Sequence, residues 1–128
     1  MLLNKCESEF SRGASELSTA VSAVKNGKSC ANSPSCLGYV CDLEIYLKLV
    51  QTLWRRYLEE GKQAQFLNGL QSIVASMLQM ASMARLLCKG NEATDIQYVC
   101  KKAQALQNAL KQVENGESAR DEHQLMLF

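Results

Sequence analysis

Six thiols are the side chains here with the most chemistry to offer: Cys6, Cys30, Cys36, Cys41, Cys88 and Cys100 in a chain of 128 residues. A thiol acts as a nucleophile when a neighbouring base removes its proton. The one histidine, His123, lies in the polar C-terminal stretch, far in sequence from every cysteine. Glu59-Glu60 and Asp121-Glu122 are adjacent carboxylates, which a helix turns to different sides, so neither makes an acid/base pair. Structural zinc takes four ligands in paired short spacings. Cys30-x5-Cys36 and Cys36-x4-Cys41 do not follow that pattern. The sequence has no nucleophile elbow, phosphate-binding loop or dinucleotide-binding glycine motif. The reading is therefore non-enzymatic, with no metal, no cofactor and no small-molecule substrate.

Disulfides are the remaining use for an even set of cysteines without C-x-x-C, and they point to an oxidising compartment. The competing reading is a set of reduced thiols buried as small apolar residues. Six cysteines allow 15 pairings. If helices two, three and four run up and down, Cys36 at the start of helix two meets Cys88 at the end of helix three. Cys41 then lies roughly 7.5 Å further down helix two, and Cys100 roughly 10 Å down helix four, at the rise of about 1.5 Å per residue. That matches Cys36 with Cys88 and Cys41 with Cys100, leaving Cys6 and Cys30. Met1-Leu2-Leu3-Asn4 runs directly into polar sequence without a secretory leader. Export then requires that the chain be a mature form.

The elements that would hold these thiols are helical. Apolar residues recur at three and four throughout, and the punctuation is confined to a single proline and seven glycines. The spacing predicts a first region of two pieces, 2–10 and 13–25, interrupted at Gly13. A polar loop follows over 26–35. Helix two is expected over 36–60, with Leu43, Leu47, Val50 and Trp54 inward and Ile45 and Leu49 off that face. Helix three is expected over 62–88 and helix four from 92 or 94 to 113, stopped by Asn115-Gly116. Met77, Met80 and Met83 on helix three suit a core edge or an adaptable binding surface. The expectation is all-α: one bundle of four main helices over 1–115, stapled by disulfides, and a polar tail over 116–128.

Charge is nearly balanced, at +1 from 14 basic and 13 acidic residues. Balance of this kind gives no electrostatic reason to bind nucleic acid. No apolar run reaches the roughly 20 residues of a membrane span. Ile45, Leu49, Met80 and Met83, at or beyond the edge of the core faces, lead to the expectation of a homodimer.

Three segments carry a resemblance: Leu2-Leu3-x-x-Cys6, Cys36-Leu37-Gly38-Tyr39-Val40, and Cys88-x5-Thr94-x2-Gln97. In order and spacing they resemble the Rap/Tai immunity proteins of bacterial type VI secretion. Asp42 stands where that family has glycine, and Lys89-Gly90 where it has Ile-Pro. The resemblance implies a small helical, disulfide-bonded periplasmic protein, often dimeric. Such a protein would block the cleft of a peptidoglycan amidase with a papain-like cysteine site and carry no catalysis of its own. Gly38 would then allow close approach of another backbone, and Tyr39 would offer a ring and a hydroxyl beside a disulfide. The inhibitory loop is expected at 26–35, through Lys28, Asn32 and Ser33. The competing loop carries Lys89, Asn91 and Glu92. The alternative function is a cytosolic helical adaptor or secretion chaperone with reduced cysteines.

Overall fold

The computed structural model describes the backbone over residues 3–26, 34–87 and 92–126, and side chains over 3–26, 35–87 and 94–116. Four helices follow one another: α1 (Lys5–Asn26), α2 (Pro34–Glu59), α3 (Ala64–Leu87) and α4 (Glu92–Met126). No strand occurs among the described residues.

Helix α1 opens on a capping box. The Glu7 N–H donates to Asn4 Oδ1 at 2.8 Å, and the Asn4 N–H donates to Glu7 Oε1 at 3.0 Å. Two backbone donors with no partner inside the helix are satisfied this way. Gly13, expected to split the helix, lies inside it. A Cβ there would sit 3.4 Å from Leu106 Cδ1, so α4 packs closely against α1 at this glycine. Packing across the bundle offsets the helix propensity that a single glycine gives up.

The turn after α2 is a Schellman motif. Gly61 takes φ +83° and the Lys62 N–H donates to the Tyr57 carbonyl at 2.9 Å. Lys62 also has positive φ, 55°, which is uncommon for a residue with a Cβ. Its ammonium compensates by reaching back to α1, 2.9 Å from Glu7 Oε2. Asn115-Gly116, by contrast, does not stop the last helix, which continues to Met126. The boundary expected at 116 is therefore not a helix boundary.

The helices form a closed ring in which α1 packs on α2 and α4, and α3 packs on α2 and α4. Neighbours run antiparallel, with Ser11 bonded to Trp54, Cys36 beside Ala84, and Gly13 against Leu106. The diagonal pairs are α1 with α3 and α2 with α4. The core is one cluster built from a stripe on each helix, including Phe10, Leu17 and Val21, then Leu43, Leu47 and Val50, then Leu70, Val74 and Met77, then Ile96, Leu106 and Leu110. These residues include the apolar faces the spacing predicts for helices two to four. Leu87, the last residue of α3, is exposed.

The disulfide staple expected between Cys41 and Cys100 is absent. Both carry free thiols, as does Cys6, and no two described cysteines stand at bonding distance. The reason is azimuth rather than height. Cys41 follows Cys36 by five residues, about 500° of helical rotation, so the two point roughly 140° apart. Cys36 faces α3, with Sγ 3.9 Å from the Ala84 carbonyl oxygen. Cys41 lies near enough to Lys25 on α1, and Cys100 near enough to Arg85 on α3, for their charges to be felt. α2 and α4, which carry them, lie across the bundle from each other. Cys30 and Cys88, the other halves of the expected Cys6–Cys30 and Cys36–Cys88 pairs, lie outside the described residues.

Candidate functional site

Antiparallel order brings the helix ends flanking 27–33 and 88–91 to the same end of the bundle. Cys36, in the first turn of α2, is fully buried against the last turns of α3, the end that leads to Cys88. Val24, near the end of α1, shares a groove with Thr94 and Asp95 at the start of α4. Both expected loops therefore leave from one face. Their named residues Lys28, Asn32, Ser33, Lys89 and Asn91 lie outside the described residues. Glu92 opens α4, with its side chain outside them.

The groove between α1 and α4 at this end has a volume of ≈ 500 Å³. Ala20, Ala23 and Val24 form its apolar floor, while Thr19, Thr94, Asp95 and Tyr98 supply polar groups along its sides. It exists because Ala20 and Ala23 are small on the face that α1 turns toward α4. Tyr98 is half exposed, and the Lys102 ammonium lies 5.3 Å from the centre of its ring. Lys102 also donates to Glu16 at 2.7 Å. That hydrogen bond is the main cause that holds the Glu16 carboxyl below its usual range and the Lys102 ammonium above its own. Beyond this ion pair a second groove runs down the same seam past Gly13 and Ala109.

The segment on which the resemblance chiefly rests divides between core and surface. Cys36 and Val40 are buried, and Leu37 and Tyr39 pack against the core edge. Gly38 and Asp42 are exposed and, with Ser35 and Tyr39, line a shallow depression of ≈ 300 Å³. A Cβ added to Gly38 would meet nothing within 4 Å, so packing within this chain does not require glycine there. The close helix approach expected at Gly38 occurs instead at Gly13 and at Gly69, which lies 3.4 Å from Leu53 Cδ1 by the same measure.

Burial pushes the Cys100 thiol up, against the opposing pull of Arg85, which favours the protonated and unreactive form. Among the described residues no group of three or more histidine, cysteine, aspartate or glutamate side chains could hold a metal ion. No helix of the described residues is long and apolar enough to cross a membrane.

At the opposite end lies a feature the spacing did not flag: Glu7, 1% exposed and paired with Lys62. Its signal was present in the Asn4-x-x-Glu7 spacing of a capping box. Around it Trp54 stacks on Tyr57 and meets Phe10 at a tilt, at 5.3 and 4.4 Å between ring centres. The indole N–H donates to Ser11 Oγ at 2.7 Å. This cluster welds α1, α2 and the α2–α3 turn into one piece, with Glu7, Lys62 and the Trp54 indole N–H paired inside it.

Comparison with known proteins identifies no relative: no family model, no curated protein and no solved structure matches the chain.

Proposed function

We propose that this chain is a protein-binding bundle whose partner docks at the end where 27–33 and 88–91 leave the helices. In the form implied by the resemblance, the partner is a peptidoglycan-cleaving amidase of a type VI secretion system. The bundle then acts in the periplasm as its immunity protein. The observation that carries the reading is the convergence of both loop attachments beside the α1–α4 groove. One end of the molecule thereby offers two connecting segments and a mixed polar and apolar depression to a single partner. The rigid cluster at the other end would hold the helix ends still, which lowers the ordering cost of binding.

The test is inhibition of the effector encoded beside this gene, measured on purified peptidoglycan. Stoichiometric protein should abolish cleavage, and cleavage unaffected by an excess would overturn the reading. Replacing Lys28, Asn32 and Ser33 together with Ala should weaken inhibition by about tenfold or more. A loss under about 0.5 kcal/mol, the range of neutral surface changes, transfers the inhibitory role to Lys89, Asn91 and Glu92.

A second reading has its own support. Free thiols at Cys6, Cys41 and Cys100 suit a cytosolic helical adaptor or secretion chaperone kept reduced. Counting reactive thiols in protein purified without reductant separates the two. Six titratable thiols after denaturation favour the adaptor, and four or fewer, which requires at least one disulfide, favour the periplasmic protein.

A further inference from the structure

The groove between α1 and α4 is lined by two carboxylates, Glu16 and Asp95, and by no cation. The two are not equivalent. Glu16, at the foot of the groove, is neutralised: Lys102 donates to one oxygen at 2.7 Å, and Arg12 Nε lies 3.7 Å from the other. Asp95, at the mouth, is exposed and has no ion-pair or hydrogen-bond partner among the described residues. Lys25, the basic residue in the last turn of α1, is taken up by Glu44 of α2 at 2.9 Å. Asp95 suits the first turn of α4, where the helix dipole favours a negative charge but leaves its oxygens uncovered. The mouth therefore keeps one uncompensated negative charge. Tyr98, one turn further along the same face of α4, presents a ring that is 50% exposed.

We propose that this groove seats an arginine side chain of the partner. Its methylenes lie on Ala20 and Ala23, and its guanidinium lies against the Tyr98 ring and forks onto Asp95. The proposal rests on the reading of this end as the docking end and adds the chemistry of what enters it. An acidic side chain would meet like charge at Asp95. An apolar one would strip water from that carboxylate and leave it unpaired, which is costly. Arginine is favoured over lysine by the acceptors and the ring. Thr94 stands beside Asp95, and Thr19 faces the groove from α1. The Thr19 hydroxyl gives its own proton to the Ser15 carbonyl at 3.1 Å, so its oxygen is left to accept. Acceptors spread over both walls suit a planar fork of N–H donors, which also stacks on an aromatic face, better than a compact ammonium. The volume of ≈ 500 Å³ falls within the roughly 300–1,000 Å³ of small-ligand sites. It takes the arginine together with the backbone that carries it.

The depression at Gly38 makes a useful contrast. It also joins a ring, Tyr39, to a carboxylate, Asp42, but on one helix alone and without the alanine and valine floor.

Titration of the isotope-labelled natural chain with N-acetyl-arginine methylamide, followed by amide chemical shifts, tests the seat without the effector. Shifts should centre on Ala20, Ala23, Asp95 and Tyr98. They should saturate with a dissociation constant of roughly 1–10 mM, the strength of an isolated charge-assisted contact. The lysine analogue should bind about threefold or more weakly, and the uncharged glutamine analogue should give no response in the groove. Asp95→Asn should abolish the arginine response, whereas Asp42→Asn should leave it unchanged. Shifts that miss the groove, equal binding of the lysine analogue, or an undiminished response in Asp95→Asn would each overturn the proposal. A second arm uses the effector. Asp95→Arg, folded as the natural chain is by circular dichroism, should weaken inhibition by about tenfold or more. If the natural chain inhibits and Asp95→Arg inhibits equally well, the arginine seat falls and the inhibitory reading stands. If the natural chain does not inhibit, the amidase falls as the partner and the arginine titration still decides the seat.

Discussion

The two ends of this bundle are built from the same four helices and on opposite principles. At the end holding Glu7 and Lys62, polar groups are turned inward and matched. A capping box starts α1, a Schellman turn ends α2, and an ion pair and an aromatic stack link the two. At the other end small residues leave a groove open between α1 and α4, and the polar groups beside it face solvent. Stability is thus concentrated where no partner is expected, and accessible surface where one is. Sites that must accept a ligand are drawn from the less stable parts of a structure.

The sharpest way to break this contrast is to remove an anchor from each end. Trp54→Ala deletes a nearly buried ring together with its contacts to Phe10 and Tyr57 and its bond to Ser11. Large aromatic deletions of this kind cost about 3–5 kcal/mol. Tyr98→Ala, at the groove, removes a ring that is 50% exposed and should change stability by about 0.5 kcal/mol or less. Urea denaturation of both variants measures the difference. Equal losses would show that the closed end is not the stabilising one.

The ion pair at the closed end gives an asymmetric result. Lys62→Met leaves the Glu7 carboxyl, 1% exposed, without its cation and should cost about 3 kcal/mol. Glu7→Gln keeps the capping geometry and leaves Lys62, 30% exposed, able to reach water. It should cost only about 1 kcal/mol. If the two losses are equal, Glu7 is stabilised by its cap alone.

Glycine substitution reverses sign between the ends. Gly61→Ala forces a Cβ into φ +83° and should cost about 1–2 kcal/mol. Gly38→Ala adds a Cβ in open space within a helix and should gain up to about 1 kcal/mol. Thermal melts of the two variants on opposite sides of the natural chain are the expected outcome. A destabilising Gly38→Ala would mean that the monomer itself needs glycine there.

Much of this architecture was legible in the chain, and the failures share one cause. The inner faces of helices two to four and the outward position of Ile45 and Leu49 follow from three-and-four spacing, because burial decides which face is apolar. Spacing alone makes Gly13 an interruption and Gly116 a stop, yet both lie inside helices. A glycine is a local signal, and tertiary packing against Leu106 overrides it at Gly13. The Cys41–Cys100 pairing failed because spacing along a helix gives height but says nothing of which neighbour a side chain faces until the ring order of helices is known. Glu7 escaped notice because a charge is expected outside, and only its partner on a distant turn makes burial tolerable. For the candidate site, spacing located the loops by their polar residues. It could not show that both attach at one end, since that depends on antiparallel packing.

The smallest expected effect lies in the half of the bundle nearer the open end, where two exposed ion pairs tie α1 to its neighbours. Lys102 donates to Glu16, and Lys25 donates to Glu44 at 2.9 Å. Each hydrogen bond holds its carboxyl below the usual 4.5 and its ammonium above the usual 10.5. For a lowered carboxyl, the contribution to stability is full above 4.5 and lost as pH falls through the folded value. For a raised ammonium, it is full below 10.5 and lost as pH rises past the folded value. Both pairs therefore act across the neutral range and fail at its two edges. Being exposed, they are also screened by salt. Hydrogen exchange should then show the second half of α1 loosening below pH 4.5 before the first half, which the capping box and the aromatic cluster hold. Lys102→Met should remove part of that acid dependence while leaving exchange near Phe10 unchanged. If the acid slope is the same in this variant, the Glu16–Lys102 pair does not link α1 to α4 in solution, and the difference between the two ends rests on packing alone.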